Sequence, residues 1–159
     1  MSGPRLRPAR TGEAALLSAL ALRSKGHWDY DAEFLEACRD ELTLRDDELA
    51  GRRTVVAELD DGRVAGFGTL EGAAPTGELG MLFVDPDAIG RGVGRALLGH
   101  LVAEARALGF TLLTIDADPH AEAFYLAAGA VRVRAVPSES IPGRVLPQLE
   151  LSLVPEAPR

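Results

Sequence analysis

Residues 79–98 read LGMLFVDPDAIGRGVGRALL, and this succession decides how the rest of the chain is read. The apolar run up to Val84 predicts a buried strand, Asp85 to Ile89 a turn broken by Pro86, and the residues after Gly92 a helix with one apolar face. Between turn and helix stand Gly90, Gly92 and Gly94. A backbone without side chains can curl tightly there and admit a bulky anion within hydrogen-bonding range of successive N–H groups. The first amides of a helix also lack intrahelical acceptors and lie at the positive end of its dipole. Strand, glycine run and helix start together form an anion cradle. Neither nucleotide motif fits it. A P-loop needs Lys and then Ser or Thr after its last glycine, where Arg95 and Ala96 stand, and the dinucleotide fingerprint needs a third glycine where Arg95 or Leu97 stands.

Outward from this stretch, the chain has the make-up of an ordinary globular protein. Its 159 residues suit one domain, 1–159, and 47% hydrophobic with 26% charged residues suffices for a sizeable core. No apolar run reaches the roughly 18 residues of a membrane span. The N-terminus, MSGPRLRPAR, has no hydrophobic segment. Neither a membrane span nor a signal peptide is expected, and a cytoplasmic location is. A formal charge of −7 argues against nucleic acid as the partner and favours cationic ones. Three His and one Cys show no metal-ligand spacing, so no metal is expected. The lone Cys38 falls in a helix-like run and reads as a structural thiol rather than a nucleophile.

Taken in order, Arg5 to Pro8 reads as a short first strand. Thr11 is placed to cap a helix rich in Ala and Leu that Gly26 ends, and Asp31 or a neighbour to cap a second helix carrying Phe34, Leu35, Cys38 and Leu42. At Arg53 the period changes. Thr54 to Leu59 and Arg63 to Leu70 flank the turn signal Asp60-Asp61-Gly62 and predict a hairpin. Glu78 to Val84 predicts a central strand covered on both faces. The helix after the glycines places Val93, Leu97, Leu101, Ala105 and Leu108 on one face, stops at Gly109, and holds Gly99, which suggests a close packing contact. Thr111 to Asp116 predicts the second strand of a parallel, right-handed unit. Asp118 and Pro119 read as cap and first residue of a short helix ended by Gly129, followed by strands at Ala130 to Val136 and Leu149 to Val154, with an irregular loop before the last and a Pro-containing tail after Leu153. The predicted class is α+β, with a mixed, mostly antiparallel central sheet flanked by helices.

Val84-Asp85-Pro86 followed by Ile89-Gly90-Arg91-Gly92-Val93-Gly94 resembles the signature of the GNAT superfamily of acyl-CoA-dependent N-acetyltransferases. That signature is Gln or Arg, two residues, Gly, one residue, then Gly or Ala, just after a V-x-P strand end. Ile89 is the departure from it. The predicted element order is similar to the GNAT fold along nearly the whole chain, and the motif resemblance covers Glu78 to Val133. It implies acetyl-CoA as acyl donor, its pyrophosphate on the backbone amides of the glycine run and its pantetheine arm in a gap between two parallel strands. The cofactor contacts it implies are Leu82, Phe83, Val84, Ile89, Gly90, Arg91, Gly92, Val93, Gly94, Arg95 and Ala96, with His120 and Tyr125 from a second signature. The activity implied is acetyl transfer to a primary amine by direct attack, the acceptor being a small amine, an amino acid, an antibiotic or a protein amine. A homodimer is the assembly implied.

The second signature, Asp118 to Ala130, matches the family's D-x-N-x-x-A-x-x-F-Y-x-x-x-G-F at Asp118, His120, Ala123, Phe124, Tyr125 and Gly129, with shortened spacing and His for Asn. A phenol still protonated at neutral pH can hydrogen-bond a departing thiolate and return a proton to it; by resemblance that role falls to Tyr125. The attacking amine must first lose a proton, and Glu78, six residues before Val84, stands where histone-acetylating relatives keep their base. Glu78 is otherwise a solvated carboxylate at a strand start, with water as the base. With no bulge it would share a face with Gly80, Leu82 and Val84. Trp28 and Tyr30, among Asp29, Asp31 and Glu33, either line an acceptor pocket or anchor the helical pair. Arg144 either grips an acceptor carboxylate or pairs with a local acid. A catalytically idle acyl-CoA-binding sensor is the alternative function, and Tyr125 separates the two, since a sensor has no use for a proton donor.

Overall fold

Where alternation replaces the helical period, at Arg53, the computed structural model of the chain, which describes residues 3–154, begins a run of antiparallel strands. The tail from residue 155 lies outside the described residues. Strands β2 (Val55–Glu58) and β3 (Val64–Gly68) form the expected hairpin, with Gly62 at φ +84° in its turn. On either side of it β1 (Arg5–Pro8) pairs with β2 and β6 (Leu82–Val84) with β3, completing a four-stranded antiparallel sheet. A second sheet is built from β4 (Glu71–Ala73), β5 (Thr76–Glu78), β7 (Leu112–Asp116), β8 (Val131–Pro137) and β9 (Val145–Ser152), in the order β4-β5-β7-β9-β8. Among the described residues only β5 and β7 run parallel. The α+β class with a mixed, mostly antiparallel arrangement is what the sequence led one to expect.

Helices cover both faces. On one, α1 (Ala14–Gly26) and α2 (Ala32–Cys38) bury Leu17, Leu20, Ala21 and Cys38 against Val56, Phe67 and Met81. On the other, α3 (Val93–Ala107) and α4 (Glu122–Ala127) bury Val93, Leu97, Leu101 and Tyr125 against Val55, Ala57, Leu113, Ile115 and Leu149. Gly66 and Gly68 let α3 lie directly on β3: a Cβ at Gly68 would stand 2.7 Å from Leu101 Cδ1, and one at Gly66 3.0 Å from Val93 Cγ1. That contact fixes where the first turn of α3 lies.

The expected single strand from Glu78 to Val84 is two strands in two sheets. Leu79 still donates its N–H to Thr114 of β7 (3.0 Å), but Met81 already accepts from Thr69 N on the β3 side (2.9 Å) and donates its own N–H to Thr69 Oγ1 (2.9 Å). One extra residue is accommodated here, and side chains exchange faces across it. Gly77 and Leu79 lie on the α3 side, Met81 and Phe83 on the α1 side, and Leu82 and Val84 on the α3 side again. Glu78 therefore points to the α1 side, away from Leu82 and Val84, which overturns the shared face expected without a bulge. At Gly80 the Glu71 carboxylate occupies the place of a side chain: a Cβ would stand 1.8 Å from Glu71 Oε2, so any larger residue there has to displace that carboxylate.

Smaller departures have local causes. Thr11 does not cap α1. Asp46 Oδ1, from a 3-10 turn far along the chain, accepts from Gly12 N (2.9 Å) and Ala14 N (3.1 Å) instead. Asp31 does cap α2, accepting from Phe34 N at 2.8 Å, but that helix ends at Cys38 and Leu42 reaches the core from the turn beyond. Gly99 makes no close contact and Leu108 is exposed. α4 begins at Glu122 rather than after Asp118, whose side chain is engaged elsewhere. β9 begins at Val145, four residues before the expected Leu149, and stops at Ser152.

Candidate active site

Beyond Leu79 the two sheets part. β6 remains hydrogen-bonded to β3 and β7 to β9, so the edges of β6 and β7 that face each other carry no ladder. The gap is a cleft of about 670 Å³. Gly94, Phe124 and Tyr125 line it from the α3–α4 side, and Ser24, Lys25 and Glu41 from the α1–α2 side, so it passes between the sheets from one face to the other. Thr69 N donates to Met81 O and Asp85 N to Ala65 O (2.7 Å), with Phe83 opposite Phe67 between them, so residues 81, 83 and 85 turn their backbone groups to β3. By alternation Leu82 and Val84 turn theirs into the cleft.

At the α3–α4 mouth the glycine run behaves as its composition requires. Gly90 and Gly92 have φ of +88° and +78°, conformations that L side chains rarely adopt, and no atom lies within 4 Å of where a Cβ would be. Among the described residues, none of the backbone amides from Gly92 to Arg95 has an acceptor, while Ala96 N donates to Gly92 O (3.0 Å). Arg91 and Arg95 are exposed beside them and form no ion pair among the described residues. The preceding turn is held by Asp85, which accepts from Asp87 N (3.0 Å) and from Arg23 (2.8 Å). Burial raises the pKa of this carboxyl, but Arg23 and the Asp87 amide outweigh it and leave the group below the usual range. Ile89 exposes an apolar side chain at this mouth.

Tyr125 stands inside the cleft with its ring edge-on to Phe124 and only 6% of its surface exposed. Its hydroxyl has no hydrogen-bond partner among the described residues, and burial pushes its pKa above the ordinary phenol value, so the group is a protonated, uncommitted donor. Glu78 lines the α1-side mouth together with Glu41, Glu71, Asp116 and Glu139. Burial first, then the neighbouring Glu71, Asp116 and Glu139, raise the pKa of its carboxyl.

Of the aromatic and cationic residues singled out from sequence, Trp28 and His120 line the cleft and stack on one another, centroids 5.0 Å apart and planes 6° from parallel. His120 belongs to a turn before α4, not to the helix. Tyr30 and Arg144 are not among the lining residues. Tyr30 donates its hydroxyl to Asp118 (3.0 Å) and accepts from Arg144 (2.8 Å), and Arg144 lies 3.5 Å from the same carboxylate. Lys25 pairs with Asp118 too, at 3.3 Å. Asp118 thus ties α1, the α1–α2 connection and the β8–β9 loop to the end of β7, a role hidden in the sequence by the Asp-Pro pair that reads as a helix start. Glu71, which accepts from Arg52 (2.8 Å) and Thr69 (2.7 Å), and Glu139 escaped sequence reasoning as well, because neither sits in a motif. No group of three or more His, Cys, Asp or Glu among the described residues could hold a metal ion.

Comparison with known proteins follows the same lines. The family model described as "Acetyltransferase (GNAT) family" matches residues 20–130. No curated protein matches the chain in sequence. Among solved structures, the GCN5-related N-acetyltransferase "Aminotransferase, Class-II" from Rhodopseudomonas palustris is 32% identical, with 96% of this chain and 97% of that one covered and a TM-score of 0.80. The PaiA N-acetyltransferase from Thermoplasma acidophilum, in complex with coenzyme A, is 17% identical over 95% and 99% of the two chains, TM-score 0.75. YncA from Salmonella typhimurium, with its cofactor acetyl-CoA, is 22% identical over 99% and 98%, TM-score 0.67. At such identities the last two likenesses are of fold.

Proposed function

Since the chain belongs to the acetyltransferase (GNAT) family, we propose that it moves an acetyl group from acetyl-CoA to a primary amine by direct attack. One observation carries this reading. A single cleft, lined by Ile89 and Gly94 where it opens beside the amides of Gly92 to Arg95 that have no acceptor among the described residues, also holds a buried phenol whose hydroxyl has no partner among them. The residues present fit the donor. The free amides, at the positive end of α3 and flanked by Arg91 and Arg95, suit a pyrophosphate. The inward backbone groups of Leu82 and Val84 suit the amides of a pantetheine arm, and the coenzyme A and acetyl-CoA held by PaiA and YncA support the same choice. Acetyl-CoA, when bound, supplies an activated thioester whose thiol is the leaving group.

The chain's own residues then divide the proton work. Tyr125 keeps its proton through neutral pH, because burial disfavours the phenolate, and holds it inside the cleft where a departing sulfur needs it. Glu78, on the opposite side of the strand break, has a carboxyl raised above the usual range and so is better matched to taking a proton from an ammonium. Donor and acceptor enter by different mouths, and Trp28 with His120 closes the rim between them. The experiment is to incubate the purified protein with acetyl-CoA and a panel of amines, following free thiol and acetylated product. Amine-dependent thiol release is expected. Coenzyme A binding by calorimetry with no amine-dependent release would overturn the transferase reading and leave a binding module.

A further inference from the structure

The α1-side mouth of the cleft is more acidic than a single ammonium requires. Glu41, Glu71, Glu78, Asp116 and Glu139 all line it, and the lysine and arginine of the cleft lining are Lys25, already committed to Asp118 at 3.3 Å, and Arg52. Arg52 is already committed to Glu71 at 2.8 Å. Glu41 accepts only from the neutral Ser140 (2.7 Å) and Asp116 only from the neutral Gln148 (2.8 Å), so neither charge is compensated. The side chains of Glu78 and Glu139 form no hydrogen bond or ion pair among the described residues. Register brings part of this set together: Glu78 pairs with Thr114 on the parallel neighbour β7, and Asp116 is the next β7 residue on that face. Glu71 stands opposite Glu78 on β4, and Glu41 and Glu139 arrive from the turn after α2 and from the β8–β9 loop. The carboxyl of Glu78, raised by its acidic neighbours as well as by burial, registers that they share one electrostatic space.

A surface of solvated acids would need no ligand, but this one opens into the cleft that also holds Tyr125, a side chain more than nine-tenths buried whose hydroxyl has no hydrogen-bond partner among the described residues. We infer that the acceptor is an aliphatic diamine or polyamine, whose reacting amine meets Glu78 and whose second cationic group lies against Glu41 and Glu139. The inference deepens, and rests on, the transferase reading above. It also excludes amino acids with a free carboxylate beside the reacting amine. Such a group would face uncompensated acids, and Arg144, the residue with the shape to receive it, is held by Tyr30 and Asp118.

The test compares cadaverine with n-pentylamine, chains of equal length that differ by one ammonium, in calorimetric titrations of the coenzyme-A-saturated protein. Screened charge pairs of this kind are worth about tenfold in affinity when several act together. Cadaverine should therefore bind at least about tenfold more tightly, with an advantage that shrinks as salt is added. Glu41→Gln with Glu139→Gln should narrow the ratio, and L-lysine should bind more weakly than cadaverine. Equal affinity for the two amines, or tighter binding of L-glutamate than of cadaverine, would overturn the inference whether or not acetyl transfer occurs. Discrimination by binding without any turnover would instead uphold the charge preference and refute only the transferase reading.

Discussion

Replacing Tyr125 by Phe isolates one hydroxyl. The ring stays packed against Phe124, and among the described residues the lost group makes no hydrogen bond, so no partner is orphaned. Stability should then change by less than about 0.5 kcal/mol, since the ring packing is kept and no hydrogen-bond partner is lost. Positioned proton donors contribute about 10²- to 10⁴-fold, and at about 1.36 kcal/mol per decade the lower limit corresponds to about 2.7 kcal/mol of barrier. The kcat of Tyr125→Phe should therefore fall at least about a hundredfold with both substrates saturating, with coenzyme A affinity unchanged. The pH dependence sharpens the test. Burial raises this phenol's pKa, so it stays protonated to pH values above its ordinary value of about 10. The ratio of wild-type to variant kcat should be flat from about pH 6 to 9. The assay is thiol release from acetyl-CoA, read beside thermal melting and calorimetry on the same preparations. Full activity in the variant across that range would refute the donor role and leave solvent as the proton source, whereas a fall in coenzyme A affinity alone would make Tyr125 a binding residue.

Other perturbations address the remaining parts. Gly92→Val forces a β-branched residue to φ near +78°, at a conformational cost of about 1–2 kcal/mol or more, while no atom lies close enough to clash. The protein should fold yet lose most of its coenzyme A affinity, and an unchanged calorimetric Kd would count against the cradle. Glu78 carries a raised pKa, so the fraction of base grows as pH climbs past the usual carboxylate range. The acid limb of kcat/KM should lie correspondingly high and vanish in Glu78→Gln; a variant that keeps the limb points to another base. For Asp118, burial raises the pKa but the His120 amide, Lys25 and Tyr30 lower it further, so the folded value falls below the unfolded one. Its contribution is fully present above the unfolded value, about 4, and is lost as pH drops through the depressed folded value. Asp118→Asn should cost about 1–3 kcal/mol near neutrality and little in acid, and melting curves that stay equally far apart down to about pH 3 would contradict this.

Most of the frame was legible because its signals are local. The hairpin at Asp60–Gly62, the glycine run, the helix from Gly92 and the stop at Gly109 each depend on residues adjacent in sequence, and the family resemblance rested on two equally local stretches, Val84 to Gly94 and Asp118 to Ala130. What stayed hidden depends on residues distant in sequence. Asp46 capping α1 from more than thirty residues away leaves no trace near Thr11. The break at Gly80 is set by Thr69, whose hydroxyl takes the displaced Met81 N–H, and an apolar run alone does not record which face each residue occupies. Tyr30, Arg144 and Asp118 were each singled out, but their mutual engagement spans 114 residues and appears only once three segments converge. The acids at the α1-side mouth are likewise scattered over 41–139 and look, in sequence, like ordinary surface charge.

The exchange of faces at Gly80 and Met81 also makes this stretch intolerant of changes in length. In a surface turn such as Asp60–Gly62 an added residue lengthens the chain at modest entropic expense and disturbs little else. Between Leu79 and Leu82 a residue gained or lost would shift the phase of everything after it, driving Phe83 toward α3, turning Leu82 and Val84 toward α1, and carrying the glycine run out of step with the helix it begins. Substitution can be absorbed there by repacking, but insertion and deletion cannot. Descendants of this sequence are therefore expected to vary in the letters from Leu79 to Leu82 long before they vary in their number.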